Sequence, residues 1–250
     1  MNAPSVDYAN LDFEGFRRLA REPGRSRHER VGFPNSYREG RESAIFDDML
    51  NKLARLQDRG ITVLEIGPGC SDLPAMLSTY GAARDHRLLF VDSEEMLALL
   101  PDEAHVAKIA GQFPQALAAR DDLTGRVDVI LAYSVMQYVF AEGNLWAAFD
   151  RCLELLADGG ELLIGDLPNQ SMRKRFFASA AGERQHKAYI GRDEKPDVRF
   201  NRLEPGQIDD SVVLSLLMRA RASGFHAWVL PQPAGLPMGN RREDILIRKP

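Results

Sequence analysis

A doubly wound α/β sheet is the architecture the sequence predicts, and three observations carry it. Short, nearly unbroken apolar runs alternate with helical patterns between residues 61 and 165, as strands covered by helices on both faces require. The first run ends in a glycine-bearing turn, Gly67-Pro68-Gly69, and the second ends in an acid, Asp92. In such a sheet both features fall outside the carboxyl ends of neighbouring strands, which is where these folds bind ligands.

The 250-residue chain is long enough for one core with additions. It opens on an arm over residues 1–40 in which Arg17, Arg18, Arg21, Arg25, Arg27 and Arg30 outnumber the acids. That arm reads either as a solvated helix and loop or as a lid over an anionic ligand. Ile45, Phe46, Met49, Leu53 and Leu56 then recur at helical spacing over 42–56, and Gly60 stops the helix. Strands are predicted at 61–66, 87–91, 105–109, 127–132 and 161–165. Before the last of these, Leu145, Phe149, Cys152, Leu153 and Leu156 form an apolar helical stripe ended by Asp158-Gly159-Gly160, which places Cys152 in the core. Residues 169–206 are polar, rich in Arg and Lys and without apolar periodicity, and read as a partly helical insertion in a single domain spanning 41–250. A helix carrying Ile208, Val212, Val213, Leu216 and Ala220 follows, closed by Ser223-Gly224. Two strands, 225–230 and 244–248, end the chain across a Pro/Gly connection.

Composition narrows the partners. A formal net charge of -4 gives no overall attraction to phosphate backbones, so nucleic acid is not an expected partner. No apolar run approaches the ~20 residues that span a bilayer. The opening residues lack the apolar stretch of a secretory leader, and two cysteines, Cys70 and Cys152, make neither a disulfide framework nor a zinc cluster, so a cytoplasmic protein is expected. None of the five histidines has metal-ligand spacing to a second His or Cys, and no metal is expected.

In the turn after the first strand, Gly67 and Gly69 let main chain approach a ligand and present N–H groups beside a helix start. A dinucleotide fingerprint wants a third glycine where Asp72 stands, which counts against an NAD(P)-dependent oxidoreductase. Glu65, at the buried end of the same strand, is costly without a cation or donor, and an ammonium-bearing ligand would supply one. Asp92 can accept both hydroxyls of a ribose lying over the glycine turn, or it can cap the next helix.

Glu65-Ile66-Gly67-Pro68-Gly69 followed by Asp92 resembles the first two motifs of class I S-adenosylmethionine-dependent methyltransferases. The run Val127-Asp128-Val129-Ile130-Leu131-Ala132-Tyr133-Ser134 looks like that family's fourth-strand motif. Residues 155–164, with the Asp158-Gly159-Gly160 turn, are similar to its approach to strand five, and the terminal strand pair matches its antiparallel hairpin. The resemblance covers the chain from about residue 40 onward, less the insertion. It implies a seven-stranded Rossmann-like sheet with an antiparallel C-terminal strand, S-adenosyl-L-methionine as cofactor, and methyl transfer to a small-molecule or glycan-linked O or N acceptor. A protein that binds this cofactor without catalysis is the other reading it leaves. By the same resemblance Glu65, Gly67, Pro68 and Gly69 lie at the methionine end, Asp92 takes the ribose, and Gln112 sits by the adenine in place of the usual acid. Tyr133 and Ser134 complete the cofactor site where it meets the acceptor.

The acceptor should face the ends of strands four and five, with Gln137 and Tyr138 on one side and Asp166 on the other. Asp166 is the best-placed acid for a general base, or else a helix cap before Pro168. His186, beside Lys187 and Tyr189 in the insertion, is the histidine placed to contact substrate, whereas His86, His105 and His226 read as structural. The segment 165–176 resembles methyltransferases of bacterial glycan and polysaccharide gene clusters. Its Arg173, Lys174 and Arg175 put three cations at the mouth of the site, with Asn169 beside them, suited to a phosphate or carboxylate on the acceptor, or simply to an exposed helix face. Tyr37 and Arg38 of the arm are the remaining candidates for the acceptor wall. The oligomeric state is not specified by the sequence.

Overall fold

Each central strand carries apolar side chains on both faces, and the computed structural model, which describes residues 11–202 and 204–250, shows what covers them. The first ten residues of the expected arm and Leu203 of the expected insertion lie outside the described residues. In chain order the elements are α1 (Phe13–Arg21), α2 (Arg27–Arg30), α3 (Asn35–Arg38), α4 (Glu42–Lys52), β1 (Thr62–Ile66), α5 (Asp72–Ala82), β2 (Arg87–Asp92), α6 (Glu94–Leu97) and β3 (Val106–Ala110). There follow β4 (Val127–Tyr133), α7 (Met136–Glu142), α8 (Leu145–Leu155), β5 (Leu156–Pro168), α9 (Gln170–Phe177), α10 (Ala180–Ile190), α11 (Asp210–Ala222), β6 (His226–Pro231) and β7 (Arg242–Arg248).

The seven strands form one mixed sheet in the order β3-β2-β1-β4-β5-β7-β6. Strands β1 to β5 pair in parallel, and β7 runs antiparallel to both β5 and β6. The order reverses at β1, between β2 and β4, so a crevice opens at their carboxyl ends. Leu64, Ile66, Leu89 and Ile130 bury on one face with Phe149 of α8 and Leu216 of α11. Val63, Leu88, Phe90 and Leu131 bury on the other with Ile45 and Met49 of α4 and Leu77 of α5. That double cover is why the strands read as continuous apolar runs.

Two of the boundaries that differ from the sequence reading show why they differ. Helix α4 stops at Lys52, and Ala54–Gln57 form a separate 3-10 turn, although Leu53 and Leu56 are both fully buried. The apolar positions therefore continue while the backbone changes direction to feed β1, and periodicity alone cannot register that. Helix α8 ends at Leu155, ahead of the glycine pair, because Leu156 already pairs with Val127 in β5. Asp158-Gly159-Gly160 then forms an irregularity in the strand, with Gly159 at φ 72°. Cys152 is fully buried as expected.

The insertion is partly helical. Asn169 caps α9, its Oδ1 accepting from the N–H groups of Ser171 and Met172, and Ser179 caps α10 through the N–H of Gly182. His86 and His105 have structural partners, the carbonyl of Leu56 and the hydroxyl of Ser78. Among the described residues no helix is long and apolar enough to cross a membrane.

Candidate functional site

A cleft of roughly 1000 Å³, partly open to solvent, occupies the carboxyl ends of β1, β2 and β4. Its floor is the turn between β1 and α5. Gly67 and Gly69 both lie at φ 64°, the left-handed region that a side chain disfavours. A Cβ on Gly67 would also overlap the Val135 side chain, and one on Gly69 would overlap Val31. Both glycines are thus required twice, by dihedral and by space.

Glu65 lies just before this turn, 4% exposed, and its Oε2 has no hydrogen-bond partner among the described residues. Burial, together with the charge of Asp92, pushes its carboxyl up to about 8. It does not itself line the cleft. Asp92 does: its Oδ2 accepts from the N–H of Gly69 at 3.0 Å, tying the ends of β1 and β2 together, and its Oδ1 accepts from the N–H of Ser93. Burial raises Asp92 to about 6 against those hydrogen bonds. The cap of the following helix α6 is Ser93, whose hydroxyl accepts from Met96.

Pro68, Gln112, Tyr133, Ser134 and Tyr138 line the same cleft, as does Arg38. Residues distant in sequence are brought together around Arg38, which is 5% exposed. Its Nη2 donates to Ser134 Oγ at 2.7 Å and to Asp166 Oδ2 at 2.8 Å, and its guanidinium stands 4.2 Å from the Phe33 ring centroid. Asp166 also accepts from Ser134 Oγ, from Arg242 Nη1 at 2.5 Å and from Gln232 Nε2 at 3.5 Å. The backbone N–H of Asp166 donates to Asp244, which accepts in turn from Lys52 at 2.6 Å. Ser134 and Asp166 lie at φ 59° and 56°, two non-glycine residues held left-handed on adjacent strands. Such strain persists where surrounding bonds over-determine it and gathers at functional sites.

The acceptor-side candidates divide. Gln137 donates to the carbonyl of Ser134 at 2.8 Å and leaves Oε1 buried without a partner among the described residues. Tyr37, Arg173 and His186 line a second cavity beside the insertion. Asn169 is 1% exposed and consumed by helix capping and by bonds to Asp210 and Glu243. Lys174 pairs with Glu204 at 2.9 Å and Arg175 with Asp210 at 2.5 Å, so the three consecutive cations do not face one ligand together. His28, Glu42 and Asp72 lie close enough to share an ion, a grouping the sequence reading did not anticipate, but Asp72 is paired with Arg27 and Glu42 with His28.

The sequence reading also missed the apolar part of the wall. Phe13 and Phe16 of α1, with Val31 and Phe33, close the cleft from the arm side. Phe16 meets Tyr138 edge-on at 4.9 Å, the N–H of Phe13 donates to Glu142 at 3.0 Å, and Arg17 pairs with Glu95 at 2.9 Å. The spacing of Phe13 and Phe16 on an otherwise charged helix was the available signal.

No protein-family model matches the chain, and no curated protein matches it in sequence. Solved structures do match. The plantazolicin methyltransferase BpumL, in complex with a triazolic desmethyl-plantazolicin analogue and S-adenosylhomocysteine, aligns with a TM-score of 0.59 at 14% identity, over 95% of this chain and 96% of that one. A protein of Methanococcus maripaludis described as an S-adenosyl-L-methionine-dependent methyltransferase aligns at 0.52 and 18% identity, over 100% of this chain and 97% of the other. The CurJ carbon methyltransferase aligns at 0.51 and 16% identity over 86% of this chain, which spans 56% of that one. The chain therefore shares the fold of S-adenosylmethionine-dependent methyltransferases.

Proposed function

We propose that this protein transfers a methyl group from S-adenosyl-L-methionine to an O or N atom of a small-molecule or glycan-linked acceptor. The observation that carries this reading is a glycine turn that tolerates no side chain, in a cleft that presents Asp92 and Gln112, with a Glu65 oxygen buried just behind that turn and without a partner among the described residues. A buried carboxylate in want of a partner fits an α-ammonium, Asp92 a ribose diol, and the Gln112 amide an adenine edge. When bound, the sulfonium would supply an activated methyl group, with sulfur as the leaving atom, for the lone pair of an acceptor held in line with it.

The chain's own residues have little covalent work to do, and positioning can supply roughly 7–11 kcal/mol of such a barrier. Gly67 and Gly69 allow main chain to approach the ligand; Phe13, Phe16 and Val31 exclude water from above it. Asp166, engaged by Arg38, Arg242 and Ser134, fixes that guanidinium and hydroxyl at the inner end of the cleft in this reading, rather than receiving a proton. His186 is the imidazole on the acceptor side, available to a hydroxyl acceptor's proton. The arm over 1–40 acts as lid and the insertion over 169–206 as acceptor cap to a single domain.

Calorimetry tests the cofactor: S-adenosylmethionine and S-adenosylhomocysteine bind and NAD does not. Binding of NAD without binding of S-adenosylhomocysteine overturns the reading. Transfer of label from methyl-labelled cofactor to a panel of hydroxyl and amine acceptors tests catalysis, and binding without transfer to any of them identifies a non-catalytic cofactor-binding protein.

A further inference from the structure

The second cavity is lined by cations in a chain of net negative charge. It encloses about 1570 Å³ including its open mouth, between α9, α10, α3 and the β6–β7 connection. Arg173, Arg241 and His186 line it, and among the described residues no aspartate or glutamate does. Both guanidiniums stand over one ring, Arg173 at 5.1 Å and Arg241 at 5.7 Å from the Phe177 centroid. The cations adjacent to them in sequence have carboxylates: Lys174 has Glu204, Arg175 has Asp210, and Arg242 has Asp166. Among the described residues neither Arg173 nor Arg241 has an ion pair, and the Arg241 side chain reaches only Asn240 Oδ1, at 3.4 Å. Burial, with Arg242 and Arg173 close by, pushes the Arg241 guanidinium down from its ordinary value. A half-buried cation beside other cations is costly unless an anion joins it.

A second and independent feature lies in the same wall. Gln232 is 6% exposed and donates Nε2 to both Asp244, at 3.0 Å, and Asp166, at 3.5 Å, which fixes its amide orientation. Its Oε1 is left without a partner among the described residues. Through Asp166 the same polar chain continues to Arg38 and Ser134, which line the cofactor cleft. Gln232 therefore lies two hydrogen-bonded steps, through Asp166, from side chains of the cofactor cleft.

We propose that this second cavity receives the methyl acceptor, and that the acceptor is an amphiphilic acid whose carboxylate or phosphate lies between Arg173 and Arg241. This rests on the methyl-transfer reading. The acceptor's hydroxyl or N–H end donates to Gln232 Oε1, and its carbon skeleton lies against Leu236 and Met238 of the same wall. Guanidinium groups suit both anions, since each offers paired oxygens to a planar fork of donors.

The probes are phenyl phosphate and benzoate, titrated into the full chain while the side-chain Nε–H resonances of its arginines are followed by NMR, with Arg173→Gln and Arg241→Gln supplying the assignments. The expected result is a saturable shift of Arg173 and Arg241, with Arg241→Gln weakening the apparent affinity by about fivefold or more, as loss of a charge-assisted contact requires. The tighter of the two probes identifies the anion. Calorimetry of Arg241→Gln with S-adenosylhomocysteine should stay within about twofold of the parent, because the cofactor cleft is untouched. Linear shifts spread over surface arginines, or an unchanged affinity in Arg241→Gln, overturn the proposal. If phenyl phosphate saturates Arg241 but the parent binds no S-adenosylhomocysteine, the methyl-transfer reading falls, and with it the acceptor role, while the anion site stands.

Discussion

The two ends of the functional crevice are built by different means. On the side of β1 and β2 the ligand surface is mostly main chain: the Gly67-Pro68-Gly69 turn, anchored when Gly69 donates to Asp92. On the side of β4 and β5 it is an ionic cluster, in which Asp166 gathers Arg38, Ser134, Gln232 and Arg242 from four separate parts of the chain. Left-handed backbone occurs on both sides, carried by glycine at 67 and 69 but by Ser134 and Asp166 opposite. A surface made of main chain is specified by the few residues that shape one turn, whereas a surface made of paired charges is specified by whichever segments the fold delivers.

The largest contrast between the halves should come from Gly67→Val. A β-branched side chain at φ 64° that also meets Val135 leaves no room for a ligand over the turn. Binding of S-adenosylhomocysteine should fall by at least about a hundredfold, with circular dichroism still reporting an α/β protein. Binding retained at the parent's strength would move the cofactor out of this cleft.

Asp92→Ala comes next. Each charge-assisted hydrogen bond to the ribose is worth about 1.5–3 kcal/mol, so affinity should drop roughly ten- to a hundredfold. Because Asp92 also holds the N–H of Gly69, some loss of thermal stability should accompany it. A stability loss with no change in affinity would make Asp92 a clamp on the turn and nothing more.

The pH dependence sharpens the same comparison. Glu65 in the folded protein titrates near 8, above its ordinary value of 4.5, so its contribution favours folding at low pH and is lost as pH rises through about 8. Asp92, raised to about 6, acts in the same sense over a lower window. The ligand-free parent should therefore lose stability relative to Glu65→Gln between about pH 5 and 9, by up to about 1.4 kcal/mol per pH unit where the difference is one proton. Chemical denaturation of both proteins at a series of pH values measures this. A parallel pair of curves would mean that Glu65 is ionised throughout. Cofactor binding near pH 6.5 should release a proton, visible as a dependence of calorimetric heat on buffer ionisation enthalpy.

Asp166→Asn acts on the opposite half. It leaves Arg38 and Arg242 short of a counter-charge and should cost stability, with affinity for S-adenosylhomocysteine changed by no more than about threefold because the glycine turn is untouched. A tenfold loss of that affinity would show that the two halves are coupled. The smallest effect belongs to Arg175→Ala, which removes an exposed pair with Asp210 worth about 0–1 kcal/mol and should alter no ligand affinity.

These contrasts follow the line between what the residues state locally and what they do not. The alternation of apolar runs and helical stripes, the turn at Gly67, and the acids at 65 and 92 are each written within a few residues, because the strand period, the left-handed dihedral and a strand end are short-range properties. The order β3-β2-β1-β4-β5-β7-β6 then sets Glu65 and Asp92 on neighbouring strands. The fate of the charges had no such local signature. Arg173, Lys174 and Arg175 are consecutive and look alike in sequence, yet Glu204 and Asp210 neutralise two of them while the third faces a cavity. Arg38 and Asp166 are each legible as candidates, but their bond joins an arm helix to a strand end 128 positions away. Ion pairs act over a few ångströms in space and carry no constraint on separation along the chain, so the sheet was determined by the sequence pattern and the cations left for a ligand were decided by the tertiary structure.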